Sequence, residues 1–104
     1  MPINVEFDRD RLDEFCRRWN IRELSLFGSV LRDDFQSDSD IDVLVAFEPA
    51  ADWGLLEHVT MQEELATVMG RQVDLVSRRA VERSSNRIRR DAILNAAQVL
   101  HAAR

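Results

Sequence analysis

Two aspartates separated by one residue stand at the start of a strongly apolar stretch. Asp40 and Asp42 lead into the run 43–47, which reads Val-Leu-Val-Ala-Phe. Alternate side chains of a strand point to the same side, so an extended backbone here brings both carboxylates together. Neighbouring carboxylates repel each other unless a cation lies between them. Because Mg²⁺ prefers oxygen ligands combined with substrate phosphates, the pattern predicts a magnesium site for phosphate chemistry.

A third aspartate, Asp74, lies in a second apolar segment, 73–76, which we expect to be a strand. Aspartate is depleted in strands, so its presence there needs a reason. If this strand lies beside the one that carries Asp42, it adds a third carboxylate to the pair. Three such groups suit one or two metal ions that activate an attacking oxygen and stabilise a leaving group in phosphoryl transfer.

The pair Gly28-Ser29 follows the first predicted strand and is a candidate phosphate-binding turn. Glycine lets the backbone approach a phosphate closely, and the Ser29 hydroxyl with the amides of a following helix start would hold phosphate oxygens. Arg32, about one turn further on, could pair with a phosphate or with an acceptor. Taken singly, a Gly-Ser pair is ordinarily only a turn, and an Asp-x-Asp is more often a solvated turn or a cap. Their order and spacing together favour the site.

Hydrophobic periodicity predicts an α/β domain, a small mixed sheet flanked by helices, that positions these groups. The predicted elements are a helix over 8–19, a strand over 21–27, a short helix over 30–34, a strand over 41–47, a long helix over 53–69, a strand over 73–76 and a last helix over 86–103. Asp8 and Asp52 are expected N-caps, and Gly70 a helix C-terminal glycine.

Apolar spacing also predicts which helical residues face the core. In the first helix these are Leu12, Phe15, Cys16 and Trp19. In the long helix they are Leu55, Leu56, Val59, Leu65, Val68 and Met69, and in the last helix Ile88, Ala92, Ile93, Ala96, Val99 and Leu100.

Length and composition bound the remaining possibilities. With 104 residues, a single domain over 1–104 is expected, and no apolar run approaches a membrane span. One cysteine excludes an intrachain disulfide, and together with the absence of a signal-like N-terminus this favours a cytoplasmic protein. The net charge of −5 disfavours broad nucleic-acid binding. An arginine-rich stretch over 78–90 could instead dock an acidic partner or meet a nucleotide.

At its polar motifs the chain resembles the minimal nucleotidyltransferases (MNT proteins) of the DNA polymerase β superfamily. The residues that carry this resemblance are Gly28-Ser29, Leu31-Arg32-Asp33, Ser39-Asp40-Ile41-Asp42-Val43 and Val73-Asp74-Leu75. The likeness covers nearly the whole chain, from the initial helix to the arginine-rich final helix. It implies a polymerase β-like nucleotidyltransferase core.

The size and the final helix are similar to those of stand-alone MNT antitoxins encoded beside a HEPN-domain ribonuclease toxin. This resemblance implies transfer of AMP from ATP to a tyrosine of the toxin, which is thereby neutralised, within a hetero-oligomer. By the same resemblance Asp40, Asp42 and Asp74 would hold Mg²⁺, and Asp74 would also help to deprotonate the acceptor. The nucleotide would be contacted by Gly28, Ser29, Arg32 and Ser39. The sequence departs from the family where Leu31 and Asp33 flank Arg32, since a small residue and a glycine are common there.

Two other functions compete with this interpretation. The protein could be a non-catalytic antitoxin that neutralises its partner by occluding it, although all three carboxylates and the Gly-Ser pair are present. It could also modify a small molecule or an RNA end. The acidic net charge and the lack of room for an acceptor-binding domain count against that last function, and favour an acceptor supplied by a partner protein.

Overall fold

The computed structural model describes residues 7–28 and 40–102, and in this part of the chain four strands form one mixed sheet with helices packed on it. The elements in chain order are α1 Arg9–Arg18, β1 Ile21–Phe27, β2 Ile41–Phe47, α2 Leu55–Met69, β3 Val73–Ser77, α3 Arg78–Glu82, α4 Arg87–Ala96 and β4 Gln98–Ala102. The strand order is β3-β2-β1-β4. β1 pairs antiparallel with β2 and β4, and β2 pairs parallel with β3. The predicted α/β class with a small mixed sheet is confirmed.

Helix α1 follows its predicted pattern. The Asp8 carboxylate accepts hydrogen bonds from the backbone N–H groups of Asp10 and Arg11 at 3.0 and 3.3 Å, which is the expected N-cap. Leu12, Phe15 and Cys16 are fully or almost fully buried, as predicted. Asn20 has a φ of 55° just after the helix and reverses the chain into β1, a backbone conformation that asparagine tolerates better than most residues.

Each face of β2 packs against a different layer of the protein. Ile41, Val43 and Val45 belong to the main core with α1 and α2, whereas Leu44 joins a second cluster with Phe27, Val81 and Ile93 under α3 and α4. Burial on both faces accounts for the near-continuous apolar run of this strand.

The side chains of β1 do not alternate strictly between the two faces of the sheet. Strict alternation would place Ile21 on the same face as Phe27 and opposite Leu24 and Leu26, but Ile21, Leu24 and Leu26 all belong to the main core. The cause is a register shift between Ile21 and Glu23, where a β-bulge changes the phase of the strand. The alternation holds beyond the bulge, where Phe27 faces the second cluster.

Helix α2 begins later and faces differently than predicted. Its N-cap is Gly54 rather than Asp52, and the Glu57 carboxylate accepts a hydrogen bond from the Gly54 N–H at 3.2 Å. The expected core residues Leu55, Leu56 and Val59 are 79%, 79% and 45% exposed.

The buried stripe of α2 consists of Met61, Leu65 and Met69, one residue per helical turn, and Met61 was missed by the sequence pattern. At about 3.6 residues per turn, Leu56 and Val59 fall on the side of the helix opposite to this stripe, and Leu55 lies beside it. Gly70 ends the helix in the left-handed conformation with a φ of 70°, as predicted. No helix in residues 7–28 and 40–102 is long and apolar enough to span a membrane.

The predicted last helix over 86–103 is wrong in its second half. Helix α4 ends at Ala96, Ala97 is extended, and residues 98–102 form β4 along the free edge of β1. Pairing with a sheet edge outweighs the local helical pattern here, because the backbone groups of β1 need partners. Ile88 is consequently 85% exposed and Val99 54% exposed, while Leu100 reaches the core from a strand. The short helix α3 was not predicted, and the expected helix over 30–34 lies outside the described residues.

Candidate active site

The aspartates at the start of β2 and β3 are direct neighbours in the sheet. Asp42 and Asp74 are partners in the parallel register, and each is the second residue of its strand. Asp40 immediately precedes β2. The two strands are therefore adjacent, and Asp42 and Asp74 lie side by side with Asp40 two residues before Asp42. We call this end of the sheet, where β2 and β3 begin, the acidic edge.

This acidic edge opens on the face of the sheet that α3 and α4 cover. Asp42 alternates with Ile41 and Val43, which are in the main core, and shares its face with Leu44, which contacts the second cluster. On the other side of β2, Asp42 is the register partner of Phe27 at the end of β1. The end of β1 and the starts of β2 and β3 thus meet at one place.

Negative charge is crowded around Asp42. Partial burial raises the pKa of the Asp42 carboxyl above its ordinary value, and the nearby Asp74 and Asp40 carboxylates raise it further. The Arg89 guanidinium acts in the opposite direction and lowers it. The net direction is upward, so the ionised carboxylate is less favourable here than in water, as expected for a cluster that is completed by a cation.

Gly28 occupies the position where β1 leaves this edge, with a φ of 78°. A Cβ atom at this position would overlap Oδ2 of Asp42 and would lie 3.2 Å from its Cγ. The sequence suggested glycine as a means for the backbone to approach a phosphate. The structure adds a second reason, since only a residue without a side chain leaves room for the Asp42 carboxylate.

Backbone groups of β3 that point away from β2 are held by side chains of α2. Oε1 of Gln62 accepts a hydrogen bond from the Leu75 N–H at 2.9 Å, and Nε2 of His58 lies 2.8 Å from the Leu75 carbonyl oxygen, to which it donates. These bonds cover the edge of the sheet one residue beyond Asp74 and fix that strand in place. His58 and Gln62 therefore act by holding β3. Sequence reasoning missed Gln62, because a lone glutamine on a helix gives no signal.

The remaining predicted site residues, Ser29, Arg32 and Ser39, lie outside the described residues. Within residues 7–28 and 40–102 no three His, Cys, Asp or Glu side chains converge into a set that could hold a metal ion. The donor chemistry nevertheless fits Mg²⁺. This ion commonly takes one or two carboxylates and completes its shell with water and substrate phosphates.

Comparison with known proteins identifies the family. Residues 9–99 match the nucleotidyltransferase domain model. Over 69 residues, 66% of this chain and 68% of the relative, the chain is 36% identical to the protein adenylyltransferase MntA of Thermococcus cleftensis. A solved structure described as a minimal nucleotidyltransferase superposes with a TM-score of 0.65 and 34% identity over 86% of each chain.

A complex of tri-AMPylated Shewanella oneidensis HEPN toxin with an MNT antitoxin matches with a TM-score of 0.59. The identity is 21% over 91% of this chain and 70% of that one, which is a likeness of fold alone. The family model, in contrast, spans almost every described element, from α1 into β4. The chain therefore belongs to the nucleotidyltransferase domain family, as a minimal nucleotidyltransferase of the DNA polymerase β superfamily.

Proposed function

We propose that this nucleotidyltransferase is an antitoxin that transfers AMP from ATP to a tyrosine of a cognate HEPN-domain toxin and thereby neutralises it. The observation that carries this proposal is the register pairing of Asp42 with Asp74, with Asp40 beside them. Family membership supplies the class of reaction. The similarity to a protein adenylyltransferase supports AMP as the group transferred and a protein as the acceptor.

In the proposed reaction, Asp40, Asp42 and Asp74 would hold Mg²⁺, which when bound would neutralise charge on the phosphates. Asp74, exposed at the start of β3, would accept the proton of the tyrosine hydroxyl. The tyrosine oxygen then forms a bond to the α-phosphorus as the bond from that phosphorus to the bridging oxygen breaks. Pyrophosphate leaves with the electron pair, and the products are the AMP ester of tyrosine and free pyrophosphate.

A tyrosine acceptor has to come from another chain, because this sequence contains no tyrosine. The fold likeness to an MNT antitoxin in complex with a tri-AMPylated HEPN toxin supports a HEPN partner as the source. The acidic net charge of −5 also makes a protein acceptor a better match than a nucleic acid.

The experiment that tests this proposal is an intact-mass measurement on the purified chain mixed with the HEPN protein encoded beside it, ATP and Mg²⁺. An AMP adduct on the partner is expected, with peptide mapping to a tyrosine. The double variant Asp40→Asn/Asp42→Asn should give no adduct. Asp52→Asn, a change of an exposed aspartate outside the site, is the matched control and should keep full transfer. Transfer that persists in the double variant would reject the assignment of the carboxylates.

An occluding antitoxin is the second candidate function, and one observation favours it. Leu55, Leu56 and Val59 expose a patch of large apolar side chains at the start of α2, a typical feature of protein-binding surfaces. If neutralisation depends on occlusion, the Asp40→Asn/Asp42→Asn double variant still protects cells from the toxin at its ordinary expression level. Loss of protection in that variant, with the complex intact, would establish catalysis as the basis of neutralisation.

A further inference from the structure

Helix α4 is fixed across the same face of the sheet that carries the acidic edge. Ile93 of this helix is buried in the cluster that contains Phe27 and Leu44. Phe27 is in turn the register partner of Asp42, and Leu44 shares the face of Asp42. The position of α4 relative to the carboxylates is therefore set by apolar packing, independently of any charge.

Arg89 lies four residues before Ile93 and hence on the same side of α4, one turn closer to the start of the helix. This side of α4 faces the cluster with Phe27, the register partner of Asp42, and the Arg89 and Asp42 side chains are close enough to attract each other electrostatically. Within residues 7–28 and 40–102 the Arg89 guanidinium has no hydrogen bond or ion pair of its own. Its neighbour Arg90 does, because its Nε lies 3.3 Å from Oδ1 of Asp91.

We infer that Arg89 is a nucleotide-binding residue of this site and that its guanidinium contacts the β- and γ-phosphates of the bound nucleoside triphosphate. The inference rests on the proposed function and extends it to a residue outside the Gly-Ser and aspartate motifs. A planar guanidinium suits phosphate oxygens because it donates two parallel hydrogen bonds.

The electrostatic argument concerns the leaving group. Asp40, Asp42 and Asp74 repel a triphosphate as well as each other, so the site needs positive charge from the protein in addition to a metal ion. When the bond to the α-phosphorus breaks, negative charge accumulates on pyrophosphate. Arg89 stabilises that charge through hydrogen bonds, without gaining or losing a proton, because arginine remains protonated in proteins.

Calorimetric titration of the isolated chain with ATP and with AMP, each in the presence of Mg²⁺, tests this inference without the partner protein. Arg89→Gln is expected to weaken ATP binding by about 10- to 100-fold, which is the range for a hydrogen bond to a charged group. AMP binding should change little, because AMP has neither of the phosphates that Arg89 contacts. Arg89→Lys should lose less ATP affinity than Arg89→Gln. Lysine keeps the positive charge but cannot donate the two parallel hydrogen bonds of a guanidinium.

Arg87→Gln is the matched control, since Arg87 is an exposed arginine two residues away that points to a different side of the same helix. It should bind both nucleotides as the unaltered chain does. Equal ATP affinity in Arg89→Gln and the unaltered chain would overturn this inference alone. Parallel loss of ATP and AMP binding in Arg89→Gln would also overturn it, because it would indicate a structural role. Failure of the unaltered chain to bind ATP would count against the proposed function as well.

Discussion

Gly28 and Asp42 lie in direct contact, and the contact leaves no room for a side chain on the glycine. A Cβ atom at position 28 would overlap Oδ2 of Asp42, which is the carboxylate between Asp40 and Asp74 in the acidic edge. The glycine of the Gly-Ser pair and the second aspartate of the Asp-x-Asp motif are thus coupled by packing. A side chain at position 28 would have to displace the Asp42 carboxylate.

Gly28→Ala is expected to lower both the stability and the transfer activity of the protein. The left-handed φ of 78° costs about 1–2 kcal/mol for a residue with a Cβ, and relief of the overlap displaces the Asp42 carboxylate. Urea denaturation and the AMP-transfer assay measure the two effects.

Gly70→Ala provides the control for backbone strain. Gly70 has a φ of 70°, and among residues 7–28 and 40–102 no atom beyond its chain neighbours lies within 4 Å of the position of its Cβ. This variant should lose about 1 kcal/mol of stability and keep its activity. If the two alanine variants lost the same activity, the contact between Gly28 and Asp42 would have no functional weight.

The stability of the protein should fall as the pH rises from 9 to 12, because of the buried thiol of Cys16. The thiol is fully buried, and this burial, with a smaller contribution from Asp13, raises its pKa from 9.0 to about 12. Between these values the unfolded chain has released the thiol proton while the folded chain retains it. The unfolded state therefore binds fewer protons, and the free energy of unfolding falls as the pH rises. The slope is about 1.4 kcal/mol per pH unit, which adds up to a few kcal/mol over this range.

The sequence makes this effect unusually simple to isolate. It contains neither lysine nor tyrosine, so Cys16 is the only side chain with an ordinary pKa in this range. Urea denaturation at several alkaline pH values should show a decline for the unaltered chain and a nearly flat curve for Cys16→Ala, which will start from a lower stability. The same decline in both proteins would show that the Cys16 thiol ionises equally in the folded and the unfolded state.

Local patterns predicted the parts of the fold that local chemistry determines. β1 and β2 begin and end where the sequence indicated, because turn-forming residues bound each of them. The pairing of Asp42 with Asp74 followed from the prediction of both strands and from one assumption, that the two strands are adjacent.

The parts that escaped prediction depend on contacts between distant segments. The residues over 98–102 have a helical pattern but pair with β1, a choice that only the free sheet edge explains. The exposed side of α2 could not be identified, because apolar residues occur around most of the helix. The contact of Gly28 with Asp42 and the approach of Arg89 likewise arise from tertiary packing, and the arginine-rich composition of 78–90 gave only a general indication of the latter.

Gln62→Met should loosen the strand that carries Asp74. The change removes the acceptor of the Leu75 N–H and leaves this half-buried group without its partner in α2. A loss of about 1–3 kcal/mol of stability is expected. The Leu75 amide should also exchange with deuterium faster in NMR measurements.

Gln72→Met, at an exposed glutamine before β3, should change stability by no more than about 0.5 kcal/mol and is the control. Unchanged exchange at Leu75 in Gln62→Met would show that water replaces the lost acceptor.

Asp42→Asn should abolish AMP transfer and yet stabilise the protein when no metal ion or nucleotide is added. Burial and the carboxylates of Asp74 and Asp40 raise the Asp42 pKa, and this net direction already includes the opposing effect of Arg89. The ionised form at neutral pH is therefore a net cost to the folded state, and removal of the charge should raise the melting temperature. Thermal unfolding with and without Mg²⁺ and ATP measures the effect. The ligands should raise the melting temperature of the unaltered chain but have little effect on the variant, because only the former binds them well.

Asp52→Asn, which removes an exposed charge elsewhere, should show neither the gain in stability nor the loss of ligand response. A less stable Asp42→Asn protein would mean that the attraction between Asp42 and Arg89 outweighs the repulsion among the carboxylates.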